Sequence, residues 1–193
     1  GSWPVRIFDA LNKALLKRAA RVVTLDQYMA ETLRRKVDLG DRLSVIPTWP
    51  HEQMDAPIPH QDNPFRAEHC ADLPDEGRVV MYSGNMSIAH PMRTLIDAAL
   101  KLSDEPRLRF MFIGGGLGKQ DVDAAIAEHR PGNMRSLPYQ PLETLRYSLS
   151  AADVHLVAMG EAMVGIVHPC KIYNAMACGR PVLAVAPPEC HVA

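Results

Sequence analysis

The chain has 193 residues, of which 47% are hydrophobic and 22% charged, and its formal net charge is −1. This length suits one full domain, or one domain and part of another, with an ordinary globular composition. The balanced charge gives no electrostatic reason to expect nucleic acid as a partner. No apolar run approaches the ~18 residues that a membrane-spanning helix needs.

The first 46 residues alternate helical and extended patterns. Apolar residues recur at helical spacing over residues 4–20, and the apolar run at 20–25 is typical of a buried strand. Asp26 is placed to cap a helix over 27–37. A second short strand is expected at 43–46.

Residues 47–77 are expected to connect two domains, with a short helix near 64–71. Proline removes a backbone donor and fixes φ, so a proline-rich stretch disfavours regular structure. Six of the sixteen prolines lie in this connector: Pro47, Pro50, Pro57, Pro59, Pro64 and Pro74. We therefore predict one domain at 1–46 and another at 78–193.

Predicted strands and helices alternate regularly after residue 77. The strands are expected at 78–83, 108–113, 134–139, 153–159 and 181–186. The helices are expected at 91–102, 119–129, 141–150 and 169–178. Continuous apolar strands separated by helices indicate an α/β fold with a Rossmann-like, doubly wound parallel sheet that is covered on both faces. Right-handed crossovers then place the carboxyl ends of all strands, and the loops that follow them, along one edge.

The most informative motif is GIVHPCKIYNAMACGRPVLAV at 165–185. It predicts a glycine turn, a short helix opened by Pro169, and a buried strand. The free N–H groups and positive dipole end of a helix N-terminus favour a phosphate. Lys171 in the first turn adds a full charge, and Asn174 lies three residues later on the same face. The motif predicts an anion site; the alternative is a solvated lysine at a helix start.

Three motifs together carry a family resemblance. The run AMACGRPV at 175–182, preceded by Glu161 and Gly165, is similar to the donor-sugar signature of the retaining GT-B-fold glycosyltransferases of family 4, the glycosyl transferases group 1. YSGNMSIAHP at 82–91 and FMFIGGG at 110–116 resemble the first two strand–loop segments of the nucleotide-binding half of those enzymes. The three motifs occur in the order of the family.

The resemblance implies a domain organisation. Residues 78–193 are expected to form the GT-B C-terminal domain, which binds the nucleotide-sugar, incomplete at its C-terminus. Residues 1–46 resemble the last helix–strand–helix–strand of the acceptor-side N-terminal domain. We therefore expect the chain to be a truncated fragment that lacks most of the acceptor-binding half.

Donor-binding roles for Gly84, Asn85 and His90 are implied by the loop after the first strand of the domain. The Arg and Lys that family members often carry near Asn85 and His90 are missing here. Asn85 offers a neutral hydrogen bond, and His90 carries charge only if a phosphate raises its pKa. The alternative is an ordinary strand–helix turn.

A catalytic role for Glu161, in contact with the sugar hydroxyls, is implied by the signature, although the spacing is not the usual one of the family. The amides of Ile166 and Val167, which follow Gly165, are implied to bind sugar or phosphate oxygens. Tyr139 is implied to lie beside the nucleobase, with ordinary packing as the alternative. For Glu161 the alternative is an exposed acidic loop residue.

Asn174 stands where the family has a second Glu, which binds both ribose hydroxyls. An amide oxygen also accepts hydrogen bonds, but without charge assistance. Lys171 is the strongest single candidate ligand, for a phosphate. His168 and Cys170 suggest a metal pair, but no third or fourth ligand lies nearby in the sequence, so no metal is expected. The preferred interpretation of His191 is a residue that does not face the cleft.

Other motifs are excluded by their spacing. GGGLGK at 114–119 fails the phosphate-loop pattern at Ile113 and Gln120, and it fails the dinucleotide fingerprint at Lys119. Its glycines are expected either to let the backbone pass near the donor or to form a tight turn without a ligand. The four cysteines, Cys70, Cys170, Cys178 and Cys190, show no CxxC spacing and are expected to be thiols in a reducing cytosol. No signal-peptide pattern is present, and Gly1–Ser2 is typical of an expression remnant.

The implied function is transfer of a sugar, with retention, from a UDP- or GDP-linked donor to a glycan or lipid-linked acceptor. This reaction belongs to polysaccharide or glycoconjugate synthesis, and no cofactor is expected. The fragment alone is expected to be inactive. Two alternatives stay open: a GT-B-fold sugar epimerase or phosphorylase, and a non-catalytic nucleotide-sugar-binding module.

The expected location is the cytoplasm, with the inner face of the cytoplasmic membrane as an alternative. Around the first helix five basic residues face one acidic residue: Arg6, Lys13, Lys17, Arg18 and Arg21 against Asp9. With Trp3 and Phe8, this helix suits peripheral contact with an anionic membrane. The more common role of such a helix is to cover a core.

Overall fold

The computed structural model describes residues 2–50 and 58–193. Gly1 of the predicted expression remnant and residues 51–57 of the predicted connector, with Pro57, lie outside the described residues. Within the described ranges the helices are α1 (Trp3–Arg18), α2 (Gln27–Lys36), α3 (Pro64–His69), α4 (Met92–Lys101), α5 (Leu117–His129), α6 (Leu142–Ser150) and α7 (Lys171–Ala177). The strands are β1 (Val22–Thr24), β2 (Leu43–Val45), β3 (Arg78–Asn85), β4 (Leu108–Gly115), β5 (Met134–Leu137), β6 (Val154–Ala158) and β7 (Val182–Val185).

The N-terminal segment, residues 2–46, holds a small parallel pair of strands, β1 and β2. Asp26 caps α2 as predicted, since its Oδ1 accepts a hydrogen bond from Met29 N at 2.7 Å. α1 buries none of its residues, and Trp3 and Phe8 are 72% and 70% exposed. None of the helices in the described ranges has both the length and the apolar character that crossing a bilayer requires.

The remaining strands form one parallel sheet in the order β5-β4-β3-β6-β7. This order confirms the predicted doubly wound α/β fold. Side chains alternate between two cores: Tyr82 and Phe112 belong to the core under α4 and α5, whereas Met81 and Met111 belong to the core under α3 and α6. Because both faces are covered, the strands are continuously apolar. The predicted domain boundaries stay predictions.

Three of the differences from the sequence prediction concern where a helix begins or how a strand is buried. α7 begins at Lys171, after Pro169, and α5 begins at Leu117 because Gly116, with φ of +105°, turns the chain into the helix early. The sequence predicts a buried β7, but this strand is the edge strand of the sheet and Leu183 is 54% exposed.

The sheet order places a crevice between β3 and β6. The chain leaves β3 toward β4 and β5 on one side, then crosses through α6 to β6 and β7 on the other side. At such a switch point the loops that follow the two strands diverge, and ligands of α/β proteins bind between them.

Candidate functional site

A cleft of about 550 Å³ opens at this crevice. Seven of the ten predicted site residues line it: Gly84, Asn85, His90, Tyr139, Val167, Lys171 and Asn174. The other three, Glu161, Gly165 and Ile166, are not among its lining residues. The volume falls in the range of small-molecule sites.

Gly84 and Lys171 lie side by side at the rim of the cleft. A Cβ added at Gly84 would lie 3.4 Å from Lys171 Cε, and the φ of Gly84 is +133°. The backbone conformation therefore favours glycine here, whereas the added Cβ would be at ordinary contact distance from Lys171. The sequence prediction that the two motifs meet at one edge of the sheet agrees with this geometry.

The Lys171 ammonium lies against a phenol and has no ionic partner among the described residues. Its Nζ donates to Tyr82 Oη, lies 3.7 Å from the Tyr82 ring centroid and is 3.5 Å from Asn85 O. No carboxylate in the described ranges forms an ion pair with it. Burial lowers the pKa of Lys171 to about 7. An unpaired, partly desolvated ammonium is a strong attractor for an anion.

Tyr82 is a site residue that the sequence does not predict. Its O–H donates to Asn85 O at 2.8 Å, which leaves the oxygen free to accept from Lys171. Burial raises the pKa of Tyr82, so this phenol stays protonated. The motif YSGN contains Tyr82, but its role depends on a contact with a residue 89 positions away.

His90 is held in a neutral form beside the cleft. Its Nδ1 lies 2.7 Å from Ala158 O, and because a carbonyl only accepts, Nδ1 carries the proton and donates. Burial and, second, the nearby Lys171 lower the pKa of His90. Without an anion, His90 Nε2 is therefore an acceptor.

The amides that follow Gly165, which the sequence predicts to bind sugar or phosphate oxygens, are hydrogen-bonded within their own loop. The N–H groups of Ile166 and Val167 both donate to Met163 O, at 3.0 and 2.9 Å, so neither is free for a phosphate. Gly165 has a φ of +72°, and a Cβ there would overlap Thr32 Oγ1 and lie 2.7 Å from Tyr28 O. The glycine is thus required for packing against α2.

Glu161 opens a single 3₁₀ turn at Glu161–Met163 and is exposed. It lies outside the cleft lining, so the structure does not bring it to the residues around Lys171. This is the arrangement of the alternative interpretation, an exposed acidic loop residue. Asn174 does line the cleft, one turn beyond Lys171 in α7.

Two exposed aromatic residues stand at the rim of the cleft. Tyr139 is 58% exposed and packs over Gly115, where an added Cβ would lie 2.9 Å from its ring. Trp49 also lines the cleft and is 73% exposed. The sequence does not predict it, because nothing in the connector sequence identifies it as a site residue. Thr48 and Gln140 also line the cleft.

The glycine run Gly114–Gly116 serves the sheet rather than the cleft. Gly114 pairs with Gly84 in the β3–β4 ladder, and a Cβ on Gly114 would overlap Gly84 O. Lys119 is a helical residue whose Nζ bonds Ser136 Oγ and Asp123, at 3.3 Å from the carboxylate. None of the three glycines is among the lining residues of the cleft, although Gly115 packs against Tyr139 and Gly116 against Asn85, which are.

The sequence shows no further potential metal ligand near His168, but the folded chain brings two such residues close to it. Asp26 and His191 approach His168 so closely that one potential ligand atom of each residue lies within 4.8 Å of the others. His191 does not line the cleft; its ring stacks on that of His168 at a centroid distance of 3.7 Å. These contacts join parts of the chain that are remote in sequence.

The fold, the cleft at its switch point and the unpaired cation are those of a ligand-binding α/β domain, and comparison with known proteins gives the family. The profile of the family described as "Glycosyl transferases group 1" matches residues 77–191, more than half of the chain. The chain belongs to this family.

One curated relative and two solved structures illustrate the similarity. The chain is 29% identical over 182 residues to the "Probable glycosyltransferase WbjE" of Pseudomonas aeruginosa, covering 93% of this chain and 44% of the relative. Anabaena HepE, solved with UDP and glucose, has a TM-score of 0.71 at 19% identity, covering 93% of this chain and 47% of HepE. WaaG, a glycosyltransferase involved in lipopolysaccharide biosynthesis, has a TM-score of 0.73 at 14% identity, covering 95% and 49%. The chain thus spans less than half the length of each of these proteins.

Proposed function

We propose that this chain is the donor-binding half of a retaining, family 4 glycosyltransferase whose donor is a nucleoside-diphosphate sugar. One observation carries the proposal: the Lys171 ammonium lies beside Gly84 at the switch point and has no ionic partner in the described part of the chain. A diphosphate would supply the missing counter-charge. HepE, which shares the fold, was solved with UDP and glucose, which supports a UDP-linked donor.

The proposed role of Lys171 is electrostatic. As the sugar–phosphate bond breaks, negative charge grows on the leaving diphosphate, and a fixed cation in a partly dry cleft stabilises it. Asn174 lines the cleft one turn beyond Lys171 in α7, and its proposed role is to accept hydrogen bonds from the ribose hydroxyls. Tyr139 and Trp49 offer apolar faces for the nucleobase at the open rim.

We further propose a glycan or lipid-linked acceptor and a role in polysaccharide or glycoconjugate synthesis. WaaG, which shares the fold and is involved in lipopolysaccharide biosynthesis, supports this class of product. α1 presents exposed Trp3 and Phe8 among basic residues, which suits an acceptor held at an anionic membrane. Sedimentation with phosphatidylglycerol vesicles tests this contact, and Phe8→Asp is expected to reduce binding; equal sedimentation of both chains would contradict it.

Calorimetric titration with UDP, GDP and NAD tests the donor site. We expect UDP or GDP to bind, and Lys171→Met to weaken that binding at least about tenfold, the loss expected for one charged hydrogen bond. Lys119→Met is the matched control, because Lys119 is already bonded to Asp123 and Ser136. Binding of NAD alone, or equal loss in both variants, would contradict the proposal.

A second candidate is a non-catalytic nucleotide-sugar-binding module. It is favoured by Glu161, which is exposed and is not among the residues that line the cleft, and by Asn174 in place of an acidic residue. Product analysis with radiolabelled UDP-sugars distinguishes the candidates, since a module releases the donor unchanged. An epimerised sugar would instead indicate the GT-B epimerase alternative.

A further inference from the structure

Three side chains that are remote in sequence offer potential metal ligands at one point of the structure, here called the Asp26 site: Asp26, His168 and His191. One potential ligand atom of each residue lies within 4.8 Å of the others. Asp26 caps α2 in the N-terminal segment, His168 precedes α7, and His191 follows β7. The proposed donor site does not explain why these three side chains meet.

The Asp26 carboxylate is buried, so its charge needs a positive partner. The side chains of Asp26 and His168 are only 7% and 1% exposed. Among the described residues, His168 is the only basic residue within ion-pair distance of Asp26, with 2.6 Å between His168 Nδ1 and Asp26 Oδ2. Buried charges in proteins are either paired or coordinate a metal ion. An imidazole is a cation only when it is protonated, whereas a metal ion bound by both side chains is a permanent counter-charge.

Tyr173 leaves one nitrogen of each imidazole available to a metal. His168 Nε2 lies 2.9 Å from Tyr173 Oη, and His191 Nε2 lies 3.2 Å from the same oxygen. A phenol oxygen accepts hydrogen bonds, so both Nε2–H groups are able to donate to it. In that tautomer each Nδ1 carries a lone pair. The ligand atoms are then Asp26 Oδ2 and the two Nδ1 atoms.

The other polar atoms of the three side chains have hydrogen-bond partners that hold them in place. Asp26 Oδ1 accepts from Met29 N at 2.7 Å, which leaves Oδ2 for a ligand bond. The two imidazole rings stack at a centroid distance of 3.7 Å, and Tyr173 Oη lies near both. Metal-binding histidines and carboxylates are oriented by such second partners, which also fix the histidine tautomer. The hydrogen bonds around the Asp26 site therefore suit metal ligands.

The separations between the ligand atoms require only small shifts around a metal ion. With bonds of about 2.0–2.1 Å, the ligand atoms of a tetrahedral zinc lie about 3.3 Å apart. The Asp26–His168 distance of 2.6 Å would lengthen by roughly 0.7 Å, and separations of up to 4.8 Å would shorten by at most roughly 1.5 Å. His191 is half-buried, so rotation of its side chain supplies much of this movement and gives a metal ion access to the site.

We propose that Asp26, His168 and His191 bind one divalent transition-metal ion, for which zinc is the probe, and that this ion joins the N-terminal segment to the loop before α7. Two imidazoles and one carboxylate suit zinc, whereas magnesium and calcium prefer oxygen ligands alone. Three protein ligands leave a fourth position for water. The ion balances the buried carboxylate and links three segments of the chain, so it stabilises the folded state. Neither the ligand set nor its test depends on the proposed donor.

Calorimetric titration of the full 193-residue chain with zinc sulfate tests the stoichiometry, after metal has been removed with EDTA and dialysis. We expect one zinc ion per chain with a Kd of about 1 μM or tighter, because the ligands are already close together. Magnesium chloride at the same concentrations is expected not to bind, because two of the three ligands are nitrogen atoms. Absence of stoichiometric zinc binding would overturn the proposal.

Ligand variants and a matched histidine control locate the ion. His191→Gln and Asp26→Asn each remove one ligand, and Asp26→Asn keeps an oxygen to cap α2. Each is expected to weaken zinc binding at least about a hundredfold, since even the hydrogen-bond partners of metal ligands contribute about 10–100-fold. His129→Gln removes an exposed histidine of α5, which lies 3.9 Å from Glu128, and is expected to leave the affinity unchanged. Equal zinc affinity of the unmodified chain and all three variants would overturn the proposal.

Two further variants separate the Asp26 site from the His168–Cys170 pair that the sequence suggests. Cys170 Sγ lies 3.3 Å from His168 O, and Cys170 does not belong to the group of three potential ligands. Cys170→Ser is therefore expected to bind zinc as tightly as the unmodified chain. Tyr173→Phe keeps all three ligands but removes the oxygen near both imidazoles, and it is expected to lose about tenfold in zinc affinity. Weak binding by Cys170→Ser with full affinity in His191→Gln would overturn the ligand set.

The dependence of stability on zinc distinguishes a metal site from a cluster of hydrogen bonds alone. At a zinc concentration about 100 times the Kd, the melting temperature of the unmodified chain is expected to rise by about 5–10 °C, and EDTA is expected to reverse the rise. His129→Gln is expected to respond in the same way, whereas His191→Gln is expected to melt at one temperature with and without zinc. A cluster held by hydrogen bonds alone predicts no zinc-dependent rise in any of these chains, and that result would overturn the proposal.

Discussion

The cations at the two ends of the five-stranded sheet have different kinds of partner. At the amino end, Arg66 Nη1 lies 2.9 Å from Asp153 Oδ2, and the same oxygen accepts from Val79 N at 2.7 Å. At the carboxyl end, Lys171 has only a phenol and a carbonyl oxygen as partners among the described residues. A paired cation holds strands together, whereas the charge of an unpaired one is available to a ligand, and in the proposed function that ligand is the diphosphate.

Removing the Asp153 carboxylate, at the amino end of the sheet, is expected to produce the largest effect on stability. Asp153→Ala leaves Arg66 buried without a counter-ion and frees Val79 N, and we expect the free energy of unfolding to fall by about 3 kcal/mol. Urea denaturation measures it. Asp97→Ala is the control, because the Arg93–Asp97 pair is exposed and contributes less than about 0.5 kcal/mol. If Asp153→Ala were as stable as the unmodified chain but no longer bound UDP, the charge pair at the amino end would serve binding and not stability.

Gly165→Ala sharpens the comparison, because Gly165 lies near the carboxyl end but serves packing. The strained φ and the overlap with Thr32 predict a loss of about 2 kcal/mol in unfolding free energy. Gly132→Ala is the matched control, since a Cβ there meets nothing within 4 Å. If Gly165→Ala instead left stability unchanged and removed UDP binding, the predicted ligand role of Gly165 would be restored.

The unpaired Lys171 predicts an unusual pH dependence of stability. Its folded pKa of about 7 lies below the usual 10.5, so between these values the unfolded chain binds the extra proton. The destabilisation is complete below pH 7 and is relieved as the pH rises toward 10.5. From pH 7 to 9 we expect the unmodified chain to gain about 2 kcal/mol relative to Lys171→Met, as measured by urea denaturation. A steeper rise in Lys171→Met would contradict this sign.

UDP affinity is expected to fall as the pH rises, because the Lys171 ammonium loses its proton, whereas the stability of the chain rises over the same range. Above pH 7 the phosphates are fully ionised, so a fall in affinity from pH 7 to 9 reports loss of the Lys171 proton. Lys171→Met is expected to show a nearly flat profile over this range. Calorimetry at constant ionic strength measures both profiles.

The smallest expected effect concerns the thiols. Cys170 is exposed at the cleft, whereas Cys70 is buried and burial raises its pKa. We expect iodoacetamide to label Cys170 first, and UDP to slow that labelling severalfold. Cys70 in the same sample serves as the internal control, with mass spectrometry as the measurement. If Cys170 were labelled equally fast with and without UDP, UDP would not bind in this cleft.

Much of the fold is predictable because local pattern and burial coincide. In α4 the predicted apolar face is the buried one, and it consists of Met92, Leu95, Ile96 and Ala99. Parallel strands end at one edge, so the proximity of Gly84 and Lys171 followed from the order of strands and helices. Prediction failed at β7, because sequence cannot tell an edge strand from a covered one.

The site was less predictable because hydrogen bonds within a loop depend on its folded path. The amides of Ile166 and Val167 donate to Met163 O, and Glu161 is not among the residues that line the cleft. Tyr82, the closest partner of Lys171, carries no mark in the sequence that separates it from any core tyrosine.

The sequence by itself determined the α/β class and the edge at which the motifs meet, because these follow from periodicity and topology, and the resemblance of its motifs to a known family indicated the glycosyltransferase family. Tertiary structure alone decided which groups stay unpaired. It brought His168 to Asp26 across 142 positions and left Lys171 with a phenol in place of a carboxylate. The physical reason is that pairing depends on distance and desolvation in the folded chain, which spacing along the sequence does not encode.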